Sequence, residues 1–343
     1  MEKYDIVQLV TRSDTLGGVH NHIIEIIKFT NFHKLKTIVL VGDSSQKKFI
    51  KKLIDEYIDY KIVSNLIVKI NLLFDIKALF ELIKILRIIN PKLICLHSSK
   101  AGILGRVAAF ILKIPSIFTV HGWSFSIKTN FAIRIFYFLL EYILQFCTYH
   151  IITDSFADKK LAEKIGFRIK KISAIPNCSS FDDQPQKNIL NNKSKEILLL
   201  TISRIDYQKD FKSLFLALSH LPNNLKWKLI YVGDGILKSE AQYLARKLNI
   251  NSKIEFVGFK TQLKNYYMNA DVFVLSSNWE GLPITLLDAM NFGLPMIATN
   301  VGGLKEVLGE PAVGGYLVDP RDVEDFSEKI INLLSSKRLR NII

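Results

Sequence analysis

Short apolar runs alternate with longer amphipathic stretches along almost the whole chain, and this alternation constrains the fold more than any other feature. Runs such as residues 37–41 and 272–275 have the length and composition of buried strands. Stretches such as residues 75–89 have helical length and spacing. Strands that alternate with helices form parallel sheets covered by those helices. The sequence therefore predicts a parallel α/β architecture.

The predicted elements extend over both halves of the chain. The predicted strands are residues 4–8, 37–41, 93–96, 116–120, 150–153, 197–202, 228–232, 254–257, 272–275 and 296–298. The predicted helices are residues 20–29, 46–56, 75–89, 101–112, 131–146, 156–165, 211–221, 238–248, 263–268, 283–292, 304–308 and 323–334.

One polar segment interrupts the alternation. Residues 176–195 are rich in Asn, Asp, Gln, Ser and Lys and contain Pro176 and Pro185. A chain of 343 residues has the length of about two ordinary domains. We therefore expect domains at 1–175 and 196–343, joined by this linker, with two sheets that face one another across a cleft.

The basic residues are concentrated in the first half of the chain. Residues 1–180 contain 26 Lys and Arg against 14 Asp and Glu, whereas residues 181–343 contain 20 against 18. No acidic residue occurs between Glu81 and Glu141. Such a field attracts nucleic acid, a phospholipid surface or a phosphorylated substrate. A Lys-rich composition that serves only solubility is the alternative.

Composition disfavours several classes of protein. With 49% apolar and 23% charged residues, the chain has a globular balance and is neither disordered nor collagen-like. Three scattered cysteines are too few for a disulfide framework or a zinc site, which favours a reducing compartment. The first ten residues are typical of a strand rather than a signal peptide. Residues 131–147 contain Arg134 and Glu141 and predict a mostly buried helix, with a membrane-surface helix as the alternative.

Two motifs have the residue types that bind phosphate. Gly17 and Gly18 lie between the first strand and the first helix, where backbone N–H groups can hold a phosphate, although a tight turn is equally consistent. Arg204 and Lys209 follow the strand at 197–202, and parallel sheets bind ligands at the carboxyl ends of their strands. The two cations could hold a diphosphate. Two solvated loop cations are the alternative.

A third motif, at residues 278–290, carries two carboxylates. Glu280 comes just before a predicted helix, Pro283 suits its first turn, and Asp288 lies one to two turns along it. Both carboxylates could then face one ligand, and carboxylates accept hydrogen bonds from the vicinal hydroxyls of sugars. Favourable placement of an acid at a helix N-terminus is the alternative, which explains Glu280 but not Asp288.

At this point the sequence resembles the retaining GT-B glycosyltransferases of family 4. The matching motifs, in the family's order, are Gly17-Gly18, His121-Gly122, Arg204 with Lys209, Val232-Gly233-Asp234-Gly235, Val257-Gly258-Phe259, Glu280 with Asp288, and residues 302–306. Residues 97–106 and 119–123 resemble the subgroup that extends capsular, O-antigen or exopolysaccharide repeat units. The resemblance implies two Rossmann-like domains, with a nucleotide sugar held mainly by the C-terminal one.

The resemblance also implies roles for the matched residues. Arg204 and Lys209 would bind the diphosphate and stabilise it as the leaving group. Glu280 would hold hydroxyls of the donor sugar, and His121 would contact the transferred sugar near the reacting centre. The catalytic residues are thus expected to be His121, Arg204, Lys209 and Glu280. The expected substrate-binding residues are Gly17, Gly18, Gly258, Gly281, Leu282, Ile284 and Asp288, the last on the ribose.

The chain departs from the family's pattern in two places. Asp288 stands where the family has a glutamate, so the ribose contact is expected to be longer or bridged by water. The sequence stops at Ile343, where the family usually continues into a helix that returns to the N-terminal domain, so a truncated or shortened crossover is expected. No Asp-x-Asp motif occurs, and cationic side chains with helix dipoles are expected to replace a metal ion.

We therefore expect a retaining transferase that uses neither a metal ion nor a cofactor. The expected donor is a nucleotide-diphosphate sugar, with a UDP-linked hexose or N-acetylhexosamine favoured, and the expected acceptor is undecaprenyl-diphosphate-linked or an oligosaccharide. A cytoplasmic location at the anionic inner membrane surface is expected, without a nucleic-acid partner. The alternatives are a nucleotide-sugar epimerase of the same fold and a non-catalytic protein that binds nucleotide sugars or nucleic acid.

Three residues of the basic half are expected at the acceptor: His97, Lys100 and Arg106. Lys100 precedes a predicted helix at the carboxyl edge of the first sheet, and Arg106 lies along that helix. A solvated Lys100 and a structural Arg106 are the alternative. His20 and His22 are expected to be exposed helix residues.

Overall fold

The computed structural model of the chain describes residues 3–126, 131–181, 196–309 and 314–342. The chain divides into two compact units, Met1–Ile175 and Pro176–Ile343. Each unit is built on one parallel sheet, with seven strands in the first and six in the second. The expected parallel α/β class, with two Rossmann-like domains, is confirmed.

The first unit has the strand order β3-β2-β1-β4-β5-β6-β7. Its strands are β1 Ile6–Val10, β2 Thr37–Gly42, β3 Tyr60–Val63, β4 Leu93–His97, β5 Ser116–Val120, β6 His150–Thr153 and β7 Ile172–Ala174. Its helices are α1 Gly18–Phe32, α2 Lys48–Asp55, α3 Leu72–Ile89, α4 Ser99–Leu112, α5 Phe131–Leu144 and α6 Phe156–Lys164. One core cluster joins α1 and α2 to the sheet, and another joins α3, α4 and α6 to it.

The second unit has the strand order β10-β9-β8-β11-β12-β13. Its strands are β8 Ile197–Ile202, β9 Trp227–Val232, β10 Ile254–Gly258, β11 Val272–Leu275, β12 Met296–Thr299 and β13 Gly315–Val318. Its helices are α7 Phe211–Ser219, α8 Lys238–Lys247, α9 Lys264–Asn269, α10 Ile284–Asn291, α11 Leu304–Leu308, α12 Val323–Ser335 and α13 Lys337–Ile342. Because every pairing is parallel, the loops after these strands meet at one edge of the sheet.

The predicted linker has a different role in its first part. Ser179 and Ser180 bond to Asp288, and Phe181 packs edge-on against the Phe292 ring at 5.0 Å. Residues 176–181 therefore belong to the second unit. The rest of the predicted linker, residues 182–195, lies outside the described residues.

α5 is far more exposed than predicted. Residues 131–136 are all exposed, and Glu141 and Leu144 are the buried residues of the helix. The expectation of a mostly buried helix is therefore wrong, because only the C-terminal half of this apolar helix packs on the core. Among the described residues, no helix combines the length and apolar composition that crossing a bilayer requires.

Candidate active site

The loops after β8 and β11 bring three predicted site residues together at the carboxyl edge of the second sheet: Arg204, Lys209 and Glu280. Lys209 Nζ bonds to Glu280 Oε1, and the Ser277 hydroxyl donates to the same oxygen over 2.5 Å. The Lys209 side chain is 13% exposed and that of Glu280 is 6% exposed. This nearly buried pair fixes a cation and a carboxylate side by side.

Gln208, which the sequence analysis missed, connects this pair to Arg204. Its Oε1 accepts from Arg204 Nη2 over 2.8 Å, and its Nε2 donates to the Trp279 carbonyl over 3.0 Å. Arg204 also contacts Asp206 at 3.1 Å, yet its side chain remains 41% exposed. The guanidinium is therefore oriented by its neighbours and still open to an anion. The sequence did contain a signal for Gln208, because it lies between the two predicted cations, Arg204 and Lys209.

Two glycines let the site loops approach one another closely. A Cβ at Gly302, whose φ is +55°, would lie 2.0 Å from the Glu280 carbonyl oxygen. A Cβ at Gly233 would lie 1.9 Å from the Ser203 carbonyl oxygen. Only glycine fits at these contacts, so the loops that carry Arg204 and Glu280 rest backbone against backbone on their neighbours.

The predicted contacts around Glu280 occupy different environments. Gly281 and Leu282 are buried, and the Leu282 carbonyl accepts from Asn177 Nδ2 over 2.9 Å. Ile284 is half-buried at the first position of α10. Gly258 ends β10 with φ +77°, and nothing lies within 4 Å of where its Cβ would be. Gly258 therefore has open space beside it, whereas Leu282 mainly packs.

Asp288 lies in a different environment from Glu280. It is 1% exposed, and its Oδ1 accepts from Ser179 Oγ over 2.8 Å and from the Ser180 N–H over 2.7 Å. Burial raises the pKa of this carboxyl above its usual value, although the serine bonds oppose the shift. The carboxylate of Asp288 is thus satisfied within the chain, and its contact with the ribose stays a prediction.

In the first unit, the ends of adjacent strands carry a chain of hydrogen bonds. His97 Nδ1 lies 3.2 Å from His121 Nε2, and His121 Nδ1 lies 2.6 Å from Asp154 Oδ2. On the other side, His97 Nε2 lies 2.8 Å from Gln8 Oε1. His97 is fully buried, so it cannot contact an acceptor directly as expected. It supports His121, whose side chain is 14% exposed.

His22 completes this histidine group. Its ring centroid lies 5.3 Å from that of His121. Burial, together with the nearby His121, lowers the pKa of His22 to about 4. The expectation that His20 and His22 are exposed is wrong for both: His20 is 5% exposed and bonds to the Arg12 carbonyl, and His22 is half-buried. The histidine edge therefore presents neutral rings at His22 and His97 at neutral pH.

Gly17 and Gly18 begin α1 at the same edge. Gly17 has an extended backbone, and nothing lies within 4 Å of where its Cβ would be. Its carbonyl accepts from the N–H groups of His20 and Asn21 in the first turn. Nothing in the chain itself therefore requires a glycine at position 17, and the space above it is open to a ligand.

The two cations expected at the acceptor are both engaged by the protein. Arg106 is fully buried, donates to Glu141 Oε2 over 2.7 Å, and lies 4.1 Å from the Phe118 ring centroid. It cannot reach an acceptor or a membrane, so that expectation is wrong. Lys100 Nζ bonds to Asp75 Oδ1 over 2.6 Å and is 14% exposed. The absence of acids near Lys100 along the sequence does not hold in space, because Asp75 neutralises it.

Within the described ranges, no group of three or more His, Cys, Asp or Glu side chains is placed to hold a metal ion. The second unit instead concentrates cationic side chains at the edge where a ligand would bind.

Comparisons with known proteins cover both units. Residues 16–180 match the family model described as Glycosyltransferase Family 4, and residues 182–343 match that of Glycosyl transferases group 1. UDP-Gal:alpha-D-GlcNAc-diphosphoundecaprenol alpha-1,3-galactosyltransferase of Escherichia coli is 30% identical over 312 residues, covering 84% of this chain and 80% of that protein. An alpha-1,4-N-acetyl-D-galactosaminyltransferase of Campylobacter jejuni is 27% identical over 97% of this chain and 86% of its own length.

Solved structures agree in fold. Anabaena HepE, crystallised with UDP-glucose, superposes with a TM-score of 0.78 at 20% identity, over 98% of this chain and 90% of HepE. This likeness extends through both parallel sheets, which are the two Rossmann-like halves of the GT-B fold. The chain is therefore a GT-B glycosyltransferase that belongs to family 4.

Proposed function

We propose that the chain transfers a sugar from a UDP-linked donor to a lipid-linked acceptor, with retention of configuration and without a metal ion. The observation that carries this proposal is the cluster of Arg204, Lys209 and Glu280 at the carboxyl edge of the second sheet. The family assignment favours transfer over epimerisation or simple binding.

The cluster provides what departure of a diphosphate requires. Negative charge grows on the diphosphate as its bond to the sugar breaks, and preorganised cations stabilise such charge without a metal ion. Arg204 presents a forked donor and Lys209 a compact charge. A bond forms between the acceptor hydroxyl oxygen and the anomeric carbon on the face that the diphosphate leaves, and the hydroxyl proton passes to the departing diphosphate.

Glu280 and His121 complete the assignment. Glu280, held by Lys209 and Ser277, keeps Oε2 for donor hydroxyls apart from a long 3.4 Å contact with Gln208. We assign His121 to the transferred sugar, with Asp154 as a positioning residue that fixes the Nδ1–H tautomer. Gly17 and Gly18 are assigned to the diphosphate.

The donor and acceptor classes rest on relatives. The Escherichia coli relative uses UDP-Gal and an acceptor linked to diphosphoundecaprenol, and HepE binds UDP-glucose. We propose the same classes here, in the assembly of a surface polysaccharide. A lipid-linked acceptor places the enzyme at the cytoplasmic face of the membrane, where the basic first half meets anionic lipid.

A direct assay tests this function. The protein is incubated with UDP-hexoses and UDP-N-acetylhexosamines and a polyprenyl-diphosphate-linked sugar in detergent, and products are separated by chromatography. We expect an acceptor-dependent product with one donor, and NMR of the new anomeric proton should show the donor's configuration. An inverted linkage would overturn retention, and conversion of the donor without acceptor would overturn transfer.

A further inference from the structure

α3 carries apolar residues on both of its sides. Its inner side buries Ala78, Leu82, Ile85 and Leu86. Its outer side nevertheless exposes Leu73 by 72%, Ile76 by 45%, Phe80 by 67% and Ile88 by 46%. The outward side of a surface helix is normally polar, so this side is suited to a partner that accepts apolar groups.

The same outer side carries cations without acids. Lys77, Lys84 and Arg87 are exposed and share the helical spacing of the apolar residues. The two acids of α3 are engaged elsewhere: Asp75 pairs with Lys100, and Glu81 accepts from the N–H groups of residues 64 and 65. The outer side of α3 therefore has a positive field that no acid of the helix cancels.

The first residue of α3 and the segment just before the helix extend this surface. Val68 is 45% exposed, Ile70 is 72% exposed and Leu72 is 74% exposed, with the exposed Lys69 between them. We name the outer side of α3 together with residues 68–72 the basic apolar face.

We propose that the basic apolar face lies on an anionic phospholipid bilayer. Helices that lie in a membrane interface bury apolar side chains among the acyl chains and place Lys and Arg against lipid phosphates. The basic apolar face has both groups on one side and lacks the exposed acids that a lipid surface would repel. The inference rests on the proposed lipid-linked acceptor and names the surface that meets its membrane.

Vesicle sedimentation tests this docking. The full chain is mixed with phosphatidylglycerol-containing vesicles and with pure phosphatidylcholine vesicles. We expect binding to the anionic vesicles that weakens by more than about tenfold in the variant Lys77→Glu/Lys84→Glu. Phe80→Ser should also weaken binding, because it removes an inserted ring.

α8 in the second unit supplies matched controls. Arg246→Glu/Lys247→Glu makes the same change in net charge at exposed helix positions. Tyr243→Ser removes a ring that is 62% exposed, against 67% for Phe80. These variants should bind vesicles as the parent does. Equal losses in α3 and α8 variants, undiminished binding of the α3 variants, or binding to duplex DNA in preference to vesicles would overturn the proposal.

The docking and the proposed function fail separately. Thermal melting confirms that each variant folds, and transfer to a detergent-solubilised acceptor should be unchanged in the α3 variants. Transfer without α3-dependent vesicle binding would overturn docking and leave the function standing. Vesicle binding that depends on α3, without transfer by the parent or any variant, would overturn the proposed function and leave the docking standing.

Discussion

Lys209 and Glu280 are each nearly buried, so each depends on the other for charge compensation. Removing one partner of such a pair leaves an uncompensated charge and is strongly unfavourable. A bound diphosphate would offer Lys209 a second anion while Glu280 remains held by Ser277. Single substitutions here therefore alter both charge and geometry, and a matched control is needed.

Lys209→Ala is expected to lower kcat by about 10²- to 10³-fold, because it removes a cation from the departing diphosphate. Lys212→Ala is the control, since Lys212 lies three residues further on, is 52% exposed and pairs with Glu240. Steady-state kinetics with a fixed acceptor measures both. A kcat for Lys209→Ala that equals that of Lys212→Ala would remove Lys209 from the leaving-group role.

His22 should make stability depend on pH. Its folded-state pKa of about 4 lies below the normal value of 6.5, so below about pH 6.5 the unfolded chain binds a proton that the folded chain does not. The free energy of unfolding then falls with decreasing pH by up to about 1.4 kcal/mol per unit for this residue, until about pH 4. His22→Gln should reduce that slope in urea unfolding, with the exposed His33→Gln as control. An unchanged slope for His22→Gln would contradict this prediction.

Side-chain partners were harder to predict than site residues. Arg204, Lys209 and Glu280 follow predicted strands, and parallel strand ends meet at one edge, so their proximity was foreseeable. Asp154 directly follows the predicted strand at 150–153 and was overlooked, because nothing local marks it as the partner of His121. Such pairs depend on which strands are neighbours in the sheet, and the spacing of motifs along the sequence does not predict the order of the strands.

At the scale of elements, α10 is fastened to residues 177–181 through Asp288. Because the folded-state pKa of Asp288 is raised, its ionised form costs stability, and this contribution grows as pH rises through the folded-state pKa. The hydrogen bonds that the carboxylate accepts from residues 179 and 180 offset part of this cost.

Asp288→Ala is therefore expected to lower the free energy of unfolding by about 1–3 kcal/mol, since the hydrogen bonds from the Ser179 hydroxyl and the Ser180 N–H to a carboxylate are lost. Asp288→Asn retains an acceptor oxygen, removes the buried charge and should be at least as stable as the parent at neutral pH. Urea unfolding measures stability, and calorimetric titration with UDP measures nucleotide affinity. Unchanged stability of Asp288→Ala together with lost UDP affinity would contradict this structural role and support the ribose role.

The strands that the sequence analysis missed lie at the edges of the sheets. β3, β7 and β13 are edge strands, and two of them are short or contain a charged residue. An edge strand needs apolar residues on fewer sides, so its pattern is weak. α5 shows the converse: its apolar composition was plain, but composition does not tell which side of a helix finds a neighbour.

At the scale of the whole molecule, the chain has an excess of positive charge, and we propose that part of it does the work of a metal ion. The net charge of +14 includes Arg204 and Lys209 at the second sheet's ligand edge. We expect EDTA to leave the transfer rate unchanged, because these side chains carry the electrostatic stabilisation. Rates before and after exhaustive chelation, with Mg²⁺ and Mn²⁺ added back, measure this. Activity lost in EDTA and restored by either ion would contradict metal independence.

The backbone contacts at Gly233 and Gly302 decide where this enzyme can vary. A methyl group at either position would push against a carbonyl of the loop bearing Arg204 or Glu280, so even alanine there displaces the reacting groups. Laboratory evolution toward other sugars would therefore lose activity at these glycines long before it gained selectivity. Productive diversity should come instead from half-buried side chains next to the site, such as Ile284 and Trp279, where a substitution does not force a Cβ against a backbone carbonyl.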